Sequence, residues 1–428
     1  MIVTRSNRTA DRAVIVGLAS GAVGRAEAER RLDELAGLVR AAGATVAWRL
    51  VQERPHPDPA TLIGAGKVQT LRALCDELGA DLVVVDNELS PAQLRNLDKS
   101  LERKVVDRTQ LILDIFAGRA RTREGKLQVE LAQLKYLLPR LVGSSAALSR
   151  LGGGIGTRGP GETKLETDRR RIRDRVRSLT EGIAAVKRRR GQLRDRRRQG
   201  PRPSVALVGY TNAGKTTLFN RLAKASGVAS DALFVTLDPL IREVRLSDTA
   251  SILLSDTVGF IDRLPHTLVA AFRATLEEVA EADLLLHVVD ASSADVDRQI
   301  AAVHTVLDEV SAGHVPAIVV LNKCDAAAFD DLARLRARYP SAPVISGLNG
   351  DGIDELVDTI SARLGLDAAR VRLSLANDEA GQAVLSRLYR HARVLSQDHD
   401  GDRLAIEADV PRRYLSQLAP LLAGDARG

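Results

Sequence analysis

The sequence predicts a multidomain α/β protein, and three observations predict it. Its 428 residues exceed what one hydrophobic core normally holds. Short apolar runs alternate with helical patterns in two separate stretches, about 13–112 and 204–366. Between them lies a segment with heptad leucine spacing, interrupted by a glycine-rich run. The expected division is an N-terminal α/β subdomain at 1–113, a helical hairpin arm at 114–199, a second α/β domain at 200–366, and a small α+β C-terminal domain at 367–428.

In the first stretch, Ala13–Val16 reads as a strand, about Arg25 to Ala42 as a helix, and Thr45–Leu50 as a second strand. A helix from about Val68 to Leu78 precedes Leu82–Val85, an apolar run of the kind found in strands buried on both faces. Ser90-Pro91 supplies a cap and a first-turn proline for a helix reaching about Leu101. Val105-Val106 is a further strand candidate. Gly64-Ala65-Gly66-Lys67 resembles a fragment of a phosphate loop, but lacks the spacing and reads as a turn that starts a helix.

The arm follows. Leu127, Leu131, Leu134, Leu138 and Leu141 repeat every four or three residues, an apolar seam on one helix. Leu165, Ile172, Val176, Leu179, Ile183, Val186 and Leu193 form a second seam, with Arg190 standing in it. Two such helices with one connector predict an antiparallel hairpin. The connector includes Gly152–Gly161, too rich in glycine for helix or core, and is expected at the tip.

Gly200–Pro203 ends the arm. Beyond it, Val205–Val208, Ser251–Leu254, Leu284–Val289, Ile318–Leu321 and Val344-Ile345 are the strand candidates. Three motifs sit where these strands end. Gly209, Tyr210, Thr211, Asn212, Ala213, Gly214, Lys215 and Thr216 match G-x-x-x-x-G-K-[ST] between a strand and a helix. In that context backbone N–H groups cradle phosphates, Lys215 neutralises their oxygens, and the Thr216 hydroxyl can bind Mg²⁺. Asp256, Thr257, Val258 and Gly259 follow the next strand, where a carboxylate can hold the Mg²⁺ shell and the Gly259 N–H can reach a γ-phosphate. Asn322, Lys323, Cys324 and Asp325 follow a later strand. A carboxylate there accepts the N1–H and N2 amino hydrogens of guanine, a pair that adenine lacks. Ser346, Gly347 and Leu348 are expected to complete the base pocket through their backbone. Together the motifs predict a Ras-like P-loop G domain that binds and hydrolyses GTP. An ATPase or kinase reading is disfavoured by Asn322–Asp325.

Phe234, Val235, Thr236, Leu237 and Asp238 lie between the first two motifs. Thr236 is the candidate switch-I ligand to Mg²⁺ once the γ-phosphate is present, ahead of Thr249 and Thr257. Lys215, Thr236 and Gly259 are the candidate catalytic residues. Phe260 occupies the place where Ras-like enzymes that position their own water carry glutamine, so slow unassisted hydrolysis is expected. Asn212 is a candidate for coordinating K⁺ near the phosphates. His266 reads more readily as a loop cap than as a catalyst.

Composition sets the remaining limits. The chain is 45% hydrophobic and 27% charged, an ordinary soluble balance. At 3% aromatic residues, a base-stacking RNA reader is disfavoured. Two cysteines, Cys75 and Cys324, exclude a disulfide framework and a four-thiolate zinc site. No apolar run reaches the length of a membrane span, and the first residues do not resemble a secretory signal, so a cytoplasmic location is expected. The net charge of +7 is concentrated: residues 169–198 carry fourteen Lys/Arg against three Asp/Glu, leaving the rest of the chain at −4. Such a run can be a solvated helix face. Beside a glycine-rich tip bearing Arg150, Arg158 and Lys164 it fits phosphate-backbone binding better.

The chain resembles the HflX family of translational GTPases. The resemblance rests on GYTNAGKTTLFN, FVTLDP, DTVGFI and LPHTLVAAFRATLEEVAEADLLLHVVDAS, and outside the G domain on PDPATLIGAGKV, ELSPAQLRNL, RTREGKLQVELAQLKYLLPRL and GGGIGTRGPGETKLETDRR. It departs from that pattern at Leu240-Ile241, at Gly347-Leu348, and at Ser144–Ala147, where an aromatic is usual. The resemblance implies GTP-regulated binding to the large ribosomal subunit and its rRNA, separation of stalled or idle ribosomes into subunits, and action as a monomer on the ribosome. The alternative is an RNA-binding, GTP-switched adaptor that does not split ribosomes.

Overall fold

The computed structural model describes residues 10–21, 23–142, 169–186, 188, 202–224, 233–248, 250–263, 276, 278–400 and 402–415. The glycine-rich run, Arg150, Arg158, Lys164, residues 189–198, Thr249 and His266 therefore lie outside the described residues. The chain forms two compact units. One comprises Met1–Arg189, Ser230–Asp238 and Arg263–Ala274; the other comprises Arg190–Ala229, Pro239–Asp262 and Thr275–Gly428.

The first unit is built on a four-stranded sheet, β1 (Arg12–Ala19), β2 (Thr45–Glu53), β3 (Leu82–Val85) and β4 (Lys104–Asp107), in the order β2-β1-β3-β4. All its pairings are parallel. Both faces of β1 are covered, which is why its sequence is apolar almost throughout. Val14, Val16 and Leu18 share a core with Leu71 of α2 (Ala65–Leu78) and Leu97 of α3 (Pro91–Leu101). On the opposite face, a side-chain carbon at Gly17 would lie 3.2 Å from Leu32 of α1 (Arg25–Ala41). Ser90 caps α3 in a reciprocal capping box with Gln93, and Pro91 opens the helix.

A helix absent from the sequence reading, α4 (Arg108–Arg119), follows β4 directly. Its N-cap is Asp107, whose carboxylate accepts from Gln110 N at 2.9 Å. Next comes α5 (Arg123–Val142), which carries two stripes. The predicted leucine seam is one, with Leu131 buried and Leu127, Leu134 and Leu138 half-buried. The other holds Gln128, Val129, Ala132 and Tyr136, all buried. Tyr136 donates to Asp107 at 2.8 Å, and burial pushes its phenol pKa far up. Residues 169–186 form α6, antiparallel to α5: Arg175 grips Glu130 through two bonds of 2.7 and 2.8 Å, and Gly182 lies over Leu127. The 4-3 spacing had predicted this pairing.

The second unit holds a five-stranded sheet of β5 (Ser204–Val208), β6 (Leu240–Arg245), β7 (Ser251–Asp256), β8 (Leu284–Asp290) and β9 (Ala317–Asn322), ordered β6-β7-β5-β8-β9. The pairings are parallel except for β6 against β7. Val344, in the last of the five expected strands, makes an isolated parallel bridge to Leu321. Helix α7 (Lys215–Leu222) buries Leu218, Phe219 and Leu222 in the core of this sheet. The helices α8 (Val296–Glu309), α9 (Phe329–Arg338) and α10 (Ile353–Arg363) follow in order. Beyond them lies an antiparallel sheet, β10 (Ala368–Ala376), β12 (Arg403–Pro411) and β11 (Arg393–Asp400), with α11 (Glu379–His391) packed through Leu385 and Leu388 onto Ile406 and Ala408. This is the expected α+β tail. Among the described residues no helix is long and apolar enough to cross a membrane.

Candidate functional site

The parallel strands of the second sheet end on one side, and the predicted motifs follow those ends. The loop after β5 turns into α7 through Gly214, whose φ of 90° is left-handed. A side-chain carbon there would lie 2.2 Å from Asn322 Nδ2, so only glycine fits. This loop is zipped to the segment after β7. Thr211 N donates to the Phe260 carbonyl at 2.7 Å and Phe260 N to the Gly209 carbonyl at 3.1 Å, while Tyr210 Oη accepts from Asp262 N at 2.9 Å. Phe260 is buried, its ring in the protein interior.

Lys215 is buried at the start of α7. Its ammonium donates to the carbonyls of Gly209 at 3.0 Å and Tyr210 at 2.7 Å. Burial lowers its pKa to about 8, with Asp256 opposing the shift and Lys323 adding to it. Among the described residues its hydrogen-bond partners are carbonyl dipoles, which leave the cation incompletely neutralised and suit a site for phosphate. Thr216 donates its hydroxyl to Asp256 Oδ2 at 2.8 Å, and Asp256 is fully buried at the end of β7. A hydroxyl beside a buried carboxylate is the oxygen donor set a hard divalent cation takes. Among the described residues no three His, Cys, Asp or Glu side chains gather to hold a metal. Mg²⁺ here would share its shell with phosphate oxygens and water, so the residues fit the ion.

Thr257 is also fully buried and donates to the Leu207 carbonyl at 2.6 Å, a bond that braces the strand end. Val258 is buried beside it. A side-chain carbon at Gly259 would lie 2.9 Å from Thr211 Cα and 3.0 Å from Lys215 Nζ, so Gly259 keeps the space over the lysine open.

The third motif is braced on the first. Asn322 donates to the Ala213 carbonyl at 2.8 Å and accepts from Gly347 N at 2.9 Å. Lys323, at φ 62°, pairs with Asp290 at 2.8 Å. Cys324 N donates to the Ile345 carbonyl at 3.2 Å, and burial raises its thiol pKa. The Asp325 carboxylate is exposed. Ser346 is buried, Gly347 follows it, and Leu348 is 69% exposed. The structure thus brings residues 209–216, 256–260, 322–325 and 346–348 into one unit.

Residues 234–238 cluster with the first unit. Phe234 is buried with its ring edge-on to Phe116, centroids 4.7 Å apart. Leu237 is buried, and Val235 and Thr236 are half-buried. The Asp238 carboxylate accepts from the backbone N–H groups of Arg121 and Thr122, both at 2.8 Å, and from the Thr122 hydroxyl. It therefore fastens the turn ahead of α5, where the Thr122 hydroxyl caps the helix by accepting from Gly125 N at 3.0 Å, a role for Asp238 that no sequence signal announced. Arg263 likewise pairs with the buried Asp86 at 2.7 Å, and Arg108 reaches the other oxygen of Asp86 at 3.2 Å. Sequence reasoning also passed over Arg221, which reaches the carbonyls of Gly347 and Leu348.

Residues 204–323 match the family described as 50S ribosome-binding GTPase. Residues 29–117 match GTP-binding GTPase N-terminal, and residues 119–197 match GTP-binding GTPase Middle Region. The chain is 45% identical over 410 residues to GTPase HflX of Lacrimispora saccharolytica, covering 96% of each protein. It is 46% identical over 363 residues to GTPase HflX of Escherichia coli, covering 84% of each. Among solved structures, a GTP-binding protein from Sulfolobus solfataricus in complex with GDP aligns with 82% of this chain and 98% of its own, at 25% identity and a TM-score of 0.44.

Proposed function

This chain belongs to the HflX family of GTPases, and from that premise we propose that it couples GTP hydrolysis to binding of the large ribosomal subunit and to the splitting of stalled or idle ribosomes. Three kinds of support meet here: membership of the family, the description of residues 204–323 as a 50S ribosome-binding GTPase, and the charge of the arm. The observation that carries the ribosome reading is the segregation of α6. Leu179 is buried and Ile172, Val176 and Ile183 are half-buried, while Arg170, Arg171, Arg173 and Arg177 stand exposed. A helix that spends its apolar face on α5 and carries arginines on its exposed face suits a phosphate backbone.

In the proposed chemistry, Lys215 exchanges its two carbonyls for β- and γ-phosphate oxygens, which restore its full charge. Thr216 would hold Mg²⁺, with Asp256 hydrogen-bonded behind it, and Thr236 is the proposed second ligand once GTP is bound. Mg²⁺ when bound neutralises charge on the β- and γ-phosphates. The Gly259 N–H donates to the γ-phosphate, and Asp325 reads guanine. Since Phe260 lies buried and cannot orient water, the ribosome supplies the missing order, and unassisted turnover is slow. Asn212, exposed at φ 61°, is the proposed K⁺ contact; equal turnover in Na⁺ and K⁺ would remove it. The site acts in the cytoplasm, on a monomer bound to the ribosome.

The test is sedimentation of whole ribosomes with the protein and GTP, GDP or a non-hydrolysable analogue. Splitting converts the ribosome peak to subunits with GTP or the analogue, and the protein travels with the large subunit. An intact ribosome peak with the protein bound would instead identify the GTP-switched RNA-binding adaptor.

A further inference from the structure

Arg221 lies on the last turn of α7, six residues beyond Lys215, in a part of the helix that takes no part in phosphate chemistry. Its Nε donates to the Gly347 carbonyl at 3.2 Å, and one terminal nitrogen donates to the Leu348 carbonyl. The loop 346–350 otherwise satisfies itself. Gly347 N donates to Asn322, Asn349 N to Ser346 Oγ at 3.0 Å, Gly350 N to the Ser346 carbonyl at 2.8 Å, and Ser346 N to the Asp351 carbonyl at 3.0 Å. Of these five backbone donors, the Leu348 N–H has no hydrogen-bond partner among the described residues.

The Gly347–Leu348 peptide is trans, so its C=O and N–H point in opposite directions. Holding the Gly347 oxygen on Arg221 therefore turns the Leu348 N–H away from α7. The guanidinium fork grips two successive carbonyls, fixing the orientation of the plane as well as its position. A free donor on a fixed peptide, beside Asn322–Asp325, suits the O6 acceptor of guanine and repels the amino group adenine carries there.

We propose that Arg221 is a positioning residue for guanine selectivity: it orients the Gly347–Leu348 peptide so that the Leu348 N–H meets the base oxygen. This deepens the assignment of Ser346–Leu348 to the base pocket and rests on it. Arg221 touches neither the base nor the phosphates. Its effect belongs to nucleotide affinity and base choice, with catalytic turnover untouched.

The test uses the full chain and two nucleotides, GTP and 2,6-diaminopurine riboside triphosphate, which keeps the 2-amino group but replaces O6 with an amino group and the N1–H donor with an acceptor nitrogen. Equilibrium affinities are measured for wild type, Arg221→Met, Arg221→Lys and Asp325→Asn, with turnover and thermal melting alongside. Arg221→Met should weaken GTP about tenfold, as expected for one lost aligned hydrogen bond, and leave the diaminopurine nucleotide within twofold. The preference for GTP thus narrows about tenfold at unchanged kcat. Arg221→Lys, a single point donor, should narrow it severalfold. If Arg221→Met does not fold, the Arg221→Lys ratio decides. An unchanged ratio in the folded variant overturns the proposal, as does an equal loss of both nucleotides, which marks Arg221 as a general brace. Asp325→Asn separates the two levels: if it keeps full preference for guanine, the base-pocket reading itself has failed.

Discussion

Asn322 donates its side-chain amide to the carbonyl of Ala213 at 2.8 Å, so the segment that reads the base is fastened to the loop that holds the phosphates. The same side chain accepts from Gly347 N, and Asn322 is buried. Asn322→Ala leaves one buried carbonyl and one buried N–H without partners, each costing about 1–3 kcal/mol. The expected outcome is a drop of about 2–4 kcal/mol in the stability of this unit and a matching loss of nucleotide affinity. Asn322→Asp keeps the acceptor but loses the donor to Ala213, so it should be worse for nucleotide than its size suggests. Denaturant unfolding and nucleotide titration check both. Wild-type affinity in Asn322→Ala would show that the two loops are aligned by something else.

Lys215 gives a pH signature. In the free protein burial holds its pKa at about 8, and phosphate oxygens in the complex raise it. The bound form therefore takes up a proton wherever the free lysine is neutral. GTP affinity should be level below about pH 8 and fall above it, by up to tenfold per pH unit. Calorimetry near pH 8.5 in buffers of different ionisation enthalpy should show proton uptake on binding. No uptake at that pH would mean that Lys215 is already charged in the free protein.

His287 on β8 sets an acid limit on stability. Burial, then the facing His304 ring 5.5 Å away and the Lys215 charge, lower its pKa to about 3. Unfolding restores a value near 6.5. The unfolded state thus binds the extra proton between these limits, and stability falls as pH drops from about 6.5 towards 3. By pH 5 the loss is about 2 kcal/mol. His287→Gln should flatten that limb of the stability curve. An unchanged pH dependence in the variant would assign the limb to carboxylates.

The parts legible in the sequence are those whose cause is local. The β5 strand, the glycine-lysine loop and α7 are contiguous, and the heptad seams of α5 and α6 need only their spacing. What escaped depends on distant partners. Strand β6 reads as LIREVR, charged at three of its six positions, and is an edge strand with only Val244 buried. Helix α4 begins on the residue after β4, leaving no loop to announce it. The Gln128–Tyr136 stripe of α5 is partly polar, so the leucine seam alone drew notice. Arg221 meets a carbonyl 126 residues away, and Asp238 fastens the turn before a helix 116 residues earlier. Neither pairing has a signature at short range.

Asp325 should decide between guanine and xanthine. Its carboxylate is exposed after β9, while Asn322 behind it is locked by its two bonds. Asp325→Asn replaces an acceptor pair with one acceptor and one donor. The amide then matches the second carbonyl of xanthine and confronts the amino group of guanine. GTP affinity should fall about a hundredfold or more, as for a site that loses a dedicated polar match, with XTP favoured instead. Competition titrations with GTP, XTP and ATP measure it, and retention of guanine preference would displace Asp325 from the proposed base pocket.

The last prediction concerns the arm. Of the arginines early in α6, Arg175 is tied to Glu130 across the hairpin, and Arg170, Arg171 and Arg173 are exposed. Each phosphate that such a residue neutralises releases condensed counterions, and the salt slope of binding counts them, at roughly 0.7–0.9 per contact. Reversing Arg170, Arg171 and Arg173 to Glu should weaken binding to large subunits and flatten its salt dependence by about two to three units. Arg175→Glu acts differently. It sets two carboxylates against each other at the α5–α6 contact, so it should destabilise the hairpin as well as weaken binding. Neither change should alter GTP affinity in the absence of ribosomes, because Lys215, Asp256 and Asn322 belong to the other compact unit. Filter binding across salt, paired with GTP titration, separates these effects. Normal subunit binding by the triple variant at every salt concentration would leave α6 as a solvated coiled-coil face and move the ribosome contact elsewhere.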